Sequence, residues 1–234
     1  MNNLTKIAIL GDFNPAVSTH HALNDSIRQV KKLFQEEIQL DWIGTDIFDC
    51  RVVFERQGYK ALWIAPGSPY KNDQNVLDAI TYVRTNKIPV LGNCAGFQYM
   101  LIEFARNVCG IVNANHEETS PDSEDLLIAK LSCSLVEQEE ELELTAPGSM
   151  LFSIIKKDHL LGRYFCNYGL NSAYVDTLKA RGLKITAVSS DKQVRAFELE
   201  NHPFFIGSLF QPALTSSNEE PNPIIVTFFE KALS

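Results

Sequence analysis

Basic residues are in deficit. Lysine and arginine number 21 against 29 aspartates and glutamates, a formal net charge of −8. No lysine/arginine cluster offsets that balance, so neither nucleic acid nor an anionic membrane is expected as a partner. No apolar run approaches the roughly 20 residues that span a bilayer. The opening stretch MNNLTKIAILGDF has too short an apolar run, and no cleavage pattern, for a secretory leader. The five cysteines, Cys50, Cys94, Cys109, Cys133 and Cys166, are odd in number and form no C-x-x-C pair. That argues against a disulfide framework or a zinc site and for a reducing, cytoplasmic setting. Internal repeats and low-complexity tracts are also missing. The acidic run from Glu137 to Glu143 lacks the ligand spacing of a metal loop and reads as a solvated turn and strand edge. No metal or cofactor is expected.

What is present is 45% hydrophobic, enough for a substantial core. In the first half, short apolar runs alternate with amphipathic stretches. KIAILG, IQLDWI, ALWIAP and IPVLGN read as buried strands. Between them, residues 20–35, NVLDAITYVRTN and FQYMLIEFARNV carry apolar residues at helical spacing. That alternation predicts an α/β fold, a flavodoxin-like doubly wound and mostly parallel sheet. The second half turns to short strand-like runs (LLIAKLS, LELTAP, GRYFCNYGL, KITAVSS, RAFELE, FFIGSLF), which predict antiparallel additions, the last of them completing the first sheet. PIIVTFFEKAL predicts a closing helix, with Asn222 as N-cap and Pro223 in the first turn.

The most specific local signal is PVLGNCAGFQ. Gly92-Asn93-Cys94-Ala95-Gly96 has the form G-x-C-x-G between a strand and a helix, the context of a nucleophile elbow. Such a turn lifts the thiol above the carboxyl edge of the sheet, where open α/β folds bind ligands. The following helix turns its N-terminus toward the sulfur, which favours thiolate, and the Ala95 N–H is a candidate oxyanion donor.

The stretch LGNCAGFQYMLIEFARNVCGIVNANHEETSPD, with APGSPY, GRYFCNYGLN and NHPFFIGSLFQP, resembles class I glutamine amidotransferases, in particular the glutaminase domain of CTP synthases. The resemblance covers nearly the whole chain. It implies a single amidotransferase-like domain over residues 1–234, with no room for an amino-ligase domain. It also implies a cysteine thiolate that attacks a glutamine amide with the help of a histidine and its orienting glutamate. Carried over position by position, Cys94 matches the nucleophile, Gly67 the oxyanion loop, Gln98 the glutamine one turn along the helix and Glu118 the receiver of the substrate amine. The departures are as specific. Ser68 stands where the family has a second glycine, and Asn167, before Tyr168, stands where the resemblance places the substrate-clamping arginine. Gln211 stands for the base and Ala213 for its glutamate. An amide has no useful basicity near neutral pH, so Gln211 is no general base.

Among the other histidines, His116 beside Glu118 is the first candidate for a replacement base, ahead of His20 and His21. His202 reads as structural and His159 as a surface turn. Cys166 reads as a bystander thiol or, less favoured, as half of a redox pair with Cys94. Three functions remain open. One is a thiol-dependent hydrolase or acyl transferase with an altered substrate. Another is a non-catalytic metabolite-binding or regulatory protein. The third is a glutaminase subunit that supplies ammonia to a CTP-synthase-like, synthetase-type partner in pyrimidine nucleotide synthesis. In each case the ligand is a small molecule with a carbonyl or amino-acid-like group.

Overall fold

A computed structural model describes residues 4–234. Four apolar runs form the parallel half of the main sheet: β1 (Thr5–Leu10), β2 (Ile38–Ile43), β3 (Ala61–Ile64) and β4 (Val90–Asn93). Helices α1 (Ser18–Lys31), α2 (Asp73–Thr85) and α3 (Ala95–Asn107) follow β1, β3 and β4. α1 ends four residues before the expected boundary, with Arg28 and Lys31 in its last turn, where cations suit the carbonyl end of a helix. A short π-helical turn at Arg51–Arg56 was not anticipated. Asp49 holds its start by accepting from the Arg51 and Val52 N–H groups.

Past β5 (Asn115–His116) and β6 (Leu126–Lys130) come β7 (Glu139–Leu144), α4 (Met150–Ile155), β8 (His159–Arg163), β9 (Tyr168–Leu170) and α5 (Val175–Ala180). The chain ends with β10 (Leu183–Val188), β11 (Val194–Leu199), β12 (Phe205–Ser208) and α6 (Pro223–Leu233). The main sheet has nine strands in the order β2-β1-β3-β4-β12-β11-β10-β7-β8, and β5, β6 and β9 form a small second sheet. β12 pairs parallel with β4, while β11, β10, β7 and β8 run antiparallel to their neighbours. This is the doubly wound, mostly parallel sheet with antiparallel additions. In α6, Asn222 Oδ1 accepts from Ile224 N at 3.0 Å, and Ile224, Ile225, Phe228 and Phe229 are buried. Burying side chains of this size contributes roughly 1.5–3 kcal/mol each.

Two expectations are corrected. GRYFCNYGL is not one strand. Its start belongs to β8 in the main sheet and its end to β9 in the small one, and no straight segment serves both. Residues 164–167 between them bond irregularly instead: Leu135 N to Cys166 O and Leu131 N to Asn167 O. The acidic run is not an edge either. Most of it is β7, flanked by β10 and β8, with Glu139 paired to Arg163, Glu140 to Arg195 and Glu143 to Lys192. His159, expected in a turn, opens the exposed end of β8.

β3, β4 and β12 lie side by side, and their carboxyl ends meet in register: Ile64 beside Gly92, and Asn93 beside Ser208. A chain of buried hydrogen bonds ties the three together. Trp63 Nε1 donates to Asn93 Oδ1 (2.7 Å), Asn93 Nδ2 donates to Ser208 Oγ (2.8 Å), and Ser208 Oγ donates to Phe210 O (2.8 Å). α3 is locked to α2 by Glu103, fully buried and bonded to Arg84 Nε (2.9 Å) and Nη2 (2.7 Å).

The turn between β4 and α3 leaves no space for side chains at its glycines. A Cβ on Gly96 would lie 2.6 Å from the Ile64 carbonyl oxygen, and one on Gly92 would lie 2.4 Å from Met100 Sδ. Gly96→Ala therefore forces a methyl group against the Ile64 backbone carbonyl, which cannot swing aside. It is expected to cost about 3 kcal/mol, read as a lower urea midpoint at unchanged slope.

Candidate active site

Cys94 sits at φ 52° and ψ −108°, a conformation L-residues avoid. Such a residue stores roughly 1–3 kcal/mol and persists only where its surroundings over-determine it. Here they do. Its N–H donates to Ser208 O on β12 (3.0 Å), its carbonyl accepts from Gln98 N (3.2 Å), and the two tight glycines flank it. The Sγ is nearly buried, with the Phe165 carbonyl 3.8 Å away.

The loop after β3 comes alongside. His20 Nε2 donates to the Pro66 carbonyl (2.9 Å), and its Nδ1 accepts from Asn14 N (3.0 Å). An imidazole with one donating and one accepting nitrogen is neutral, and burial lowers the His20 pKa from its ordinary value. The trans peptide geometry turns the Gly67 N–H away from His20. Gly67 takes φ 111°, and a Cβ there would lie 3.2 Å from His20 Nε2. Among the described residues, neither the Gly67 nor the Ala95 N–H has an acceptor within the chain. Ser68 has no positive φ, so the left-handed step is made at Gly67 alone. Its hydroxyl donates to Glu118 Oε2 (2.6 Å).

His116 lies one hydrogen bond behind the cavity rather than in it. Its Nε2 donates to Gln98 Oε1 (3.0 Å), and its Nδ1 accepts from Glu118 N (3.1 Å). Gln98 Nε2 in turn donates to Tyr168 O (2.9 Å). Both nitrogens are committed, so the ring has no free lone pair for a thiol. Burial, partly offset by Glu117, lowers its pKa from 6.5 to about 4. His21 bonds Pro15 O on the exposed side of α1, and His202 bonds Val83 O in the core.

The third loop, after β12, brings Gln211. It is 2% exposed, and its Nε2 is buried without a hydrogen-bond partner. Ala213, in a 3₁₀ turn, presents only a methyl group. Asn167 Oδ1 accepts from Ser134 Oγ (2.8 Å). Cys166 is buried, with its Sγ 3.5 Å from Leu209 O. Burial holds its thiol well above the ordinary range, and the neighbouring Cys94 adds to this.

These loops enclose a cavity of about 200 Å³ whose walls include Cys94, Gln98, Glu118, Cys166, Asn167, Tyr168 and Gln211 together with Pro66, Gly67 and Ser68. Sequence reasoning missed three further wall residues, Val17, Thr19 and Phe165. Only their places after β1 and β8 could have pointed to them. A larger open cleft, about 880 Å³ beside α4 and α6, contains no cysteine. No group of His, Cys, Asp and Glu among the described residues is arranged to hold a metal, and no helix among them is long and apolar enough to cross a membrane.

A strained cysteine at a strand-to-helix turn, at the carboxyl edge of this sheet, is the geometry of a nucleophile elbow in an α/β fold. The family model for class I glutamine amidotransferases matches residues 18–231, and the chain belongs to that family. Among curated relatives, a CTP synthase of Nautilia profundicola is 27% identical over 252 residues, covering 97% of this chain and 46% of the relative. One of Helicobacter pylori is 28% identical over 248 residues, covering 98% and 46%. The chain thus spans just under half the length of these relatives. The solved Trypanosoma brucei CTPS glutaminase domain with bound acivicin superposes with a TM-score of 0.85 at 22% identity, covering 98% of this chain and 94% of that one. A glutamine amidotransferase from Thermotoga maritima gives 0.64 at 8% identity, covering 98% of each chain. At these identities the structures show a shared fold.

The buried neutral histidines set an acid limit. The unfolded chain protonates them near pH 6.5, whereas folded His116 resists protonation until about pH 4. Stability is therefore full above pH 6.5 and falls as the pH drops toward 4. His116 accounts for on the order of 3 kcal/mol of the fall, with His20 and His202 adding in the same direction. Urea midpoints at pH 7.5 and 4.5 measure it. His116→Gln is expected to flatten the difference, and an undiminished slope would place the loss in other groups.

Proposed function

We propose that the protein is a thiol-dependent acyl-transfer or hydrolytic enzyme of the class I glutamine amidotransferase family that does not use glutamine as its ordinary substrate. The observation that carries this reading is Cys94, held at φ 52° beside the unpaired Gly67 and Ala95 N–H groups, with the amide of Gln211 in the wall. The Cys94 thiolate forms a C–S bond to a carbonyl carbon, and the two N–H groups take up the oxygen's negative charge. The bond to the leaving group then breaks. Among the described residues no imidazole lines the cavity, so no histidine is at hand to protonate a leaving amine. An ester or thioester suits the site better than an amide, since its leaving alkoxide or thiolate takes a proton from solvent. Water or a second nucleophile then cleaves the thioester and restores the thiol. The five free thiols suit a reducing, cytoplasmic setting.

A second reading, a non-catalytic metabolite-binding protein, draws on the same lack of base, acid and cation at Gln211, Ala213 and Asn167. Mass spectrometry after incubation with an N-acetylcysteamine thioester separates the two. An acyl adduct on Cys94, absent in Cys94→Ala, is expected. Restoring a base by Gln211→His with Ala213→Glu is expected to speed acylation by about 10²–10⁴-fold. If no adduct forms and Cys94 alkylates no faster than in urea, the binding reading takes its place. Cys94-dependent ammonia from glutamine would instead favour a subunit that feeds a synthetase-type partner.

A further inference from the structure

Two of the five thiols share one cavity. Cys94 and Cys166 both line the space of about 200 Å³ at the sheet edge, and Cys50, Cys109 and Cys133 do not. Independent contacts on two sides hold the pair together. The Cys94 Sγ lies 3.8 Å from the Phe165 carbonyl oxygen, which belongs to the peptide bond that Cys166 completes. That peptide is trans, so its oxygen and the Cys166 Cα lie on the same side of the C–N bond, and the Cys94 sulfur sits against the Cys166 backbone. On the far side, the Cys94 N–H donates to Ser208 O (3.0 Å) and the Cys166 thiol donates to Leu209 O (3.5 Å), the carbonyls of consecutive residues. Cys94 is close enough to act directly on the Cys166 thiol, adding to the upward push of burial.

The two sulfurs differ in access and in freedom. Cys94 is 8% exposed and Cys166 only 3%, so a solute in the cavity meets Cys94 first. The Cys94 backbone is fixed at φ 52°. Cys166 lies between the ends of β8 and β9 and belongs to neither strand. A side-chain rotation with a small shift there breaks no strand pairing. Burial keeps Cys166 as a thiol, so it brings its own proton to any reaction.

We infer that Cys94 and Cys166 form a dithiol site that reduces small hydroperoxides and closes to a reversible disulfide. The Cys94 sulfur attacks the terminal oxygen of the hydroperoxide. An S–O bond forms, the O–O bond breaks, and alcohol or water leaves with the Cys94 proton. The resulting sulfenic acid is attacked by the Cys166 sulfur. The S–S bond forms, the S–O bond breaks, and the hydroxyl departs as water with the Cys166 proton. The two thiols together lose two electrons in forming the disulfide, and the hydroperoxide gains them. A dithiol reductant reverses the bond by exchange. The cavity lies below the range of about 300–1,000 Å³ that holds drug-sized ligands, which limits the oxidant to a small one. A transient disulfide is the kind that a reducing setting permits. The inference goes beyond the acyl-transfer reading and does not depend on it, since neither step uses an acyl donor.

The test is to treat the protein near neutral pH with excess hydrogen peroxide, alkylate the remaining thiols and digest without reduction for mass spectrometry. A peptide pair joining Cys94 to Cys166 is expected, at least about tenfold more abundant than Cys94 sulfinic acid, and dithiothreitol is expected to remove it. In Cys166→Ser, Cys94 is expected to accumulate as a sulfenic acid that dimedone traps, and then to pass to a sulfinic acid that dithiothreitol does not reverse. In Cys94→Ala, Cys166 is expected to remain a thiol. Wild-type Cys94 recovered as sulfinic acid without the cross-linked pair, joined mainly to another cysteine, or left unoxidised while the exposed Cys133 reacts, overturns the inference. The wild-type digest carries the test even where a variant does not fold. A failure of acylation leaves the cross-link unchanged, and a missing cross-link leaves the acyl-transfer reading standing, so the two failures are told apart.

Discussion

The backbone of Cys94 is the constraint around which the rest of the structure is arranged. A non-glycine residue at φ 52° would relax if anything nearby gave way. Nothing does, because Gly96 rests on the Ile64 carbonyl, Gly92 rests on Met100, and the Cys94 N–H is held by β12. The strain is thus borne by three adjacent strands and by a helix pinned through the buried Glu103–Arg84 pair. The exposed edge of those strands inherits the result: a thiol fixed in direction, with loops from β3 and β12 on either side of it.

Around that thiol the electrostatic environment is spare. His20 and His116 are neutral by virtue of their hydrogen bonds and burial, and both act on backbone or amide groups rather than on the sulfur. His20 orients the Pro66–Gly67 peptide; His116 joins Gln98 to the Glu118 loop. Cys166 stays protonated in its buried position. Glu118 is therefore the chief local charge. On the proposed acyl-transfer reading, geometry and oriented dipoles carry the reaction, which favours substrates that bring their own good leaving group.

Much of this was legible in the sequence because it depends on periodicity and on short-range sterics. The four apolar strands, the three amphipathic helices and the G-x-C-x-G turn need only local reasoning, and their order puts Gly67, Cys94 and Gln211 at one sheet edge. What escaped depends on tertiary pairing. Nothing in GRYFCNYGL signals that it changes sheets at Tyr164, since its apolar content suits either. The glutamates of β7 read as solvated until Arg163, Arg195 and Lys192 arrive from distant segments. His116 beside acidic residues read as a free base, because its partner Gln98 lies 18 residues away on α3.

The hydrogen-bonded chain from Trp63 through Asn93 and Ser208 to the Phe210 carbonyl runs beneath the pocket and uses none of the residues that face it. Shape is written in one set of side chains and reactivity in another. Positions 167, 211 and 213 stand outside that chain. A lineage built on this plan can pass through inert intermediates and still arrive, folded, at a new chemistry.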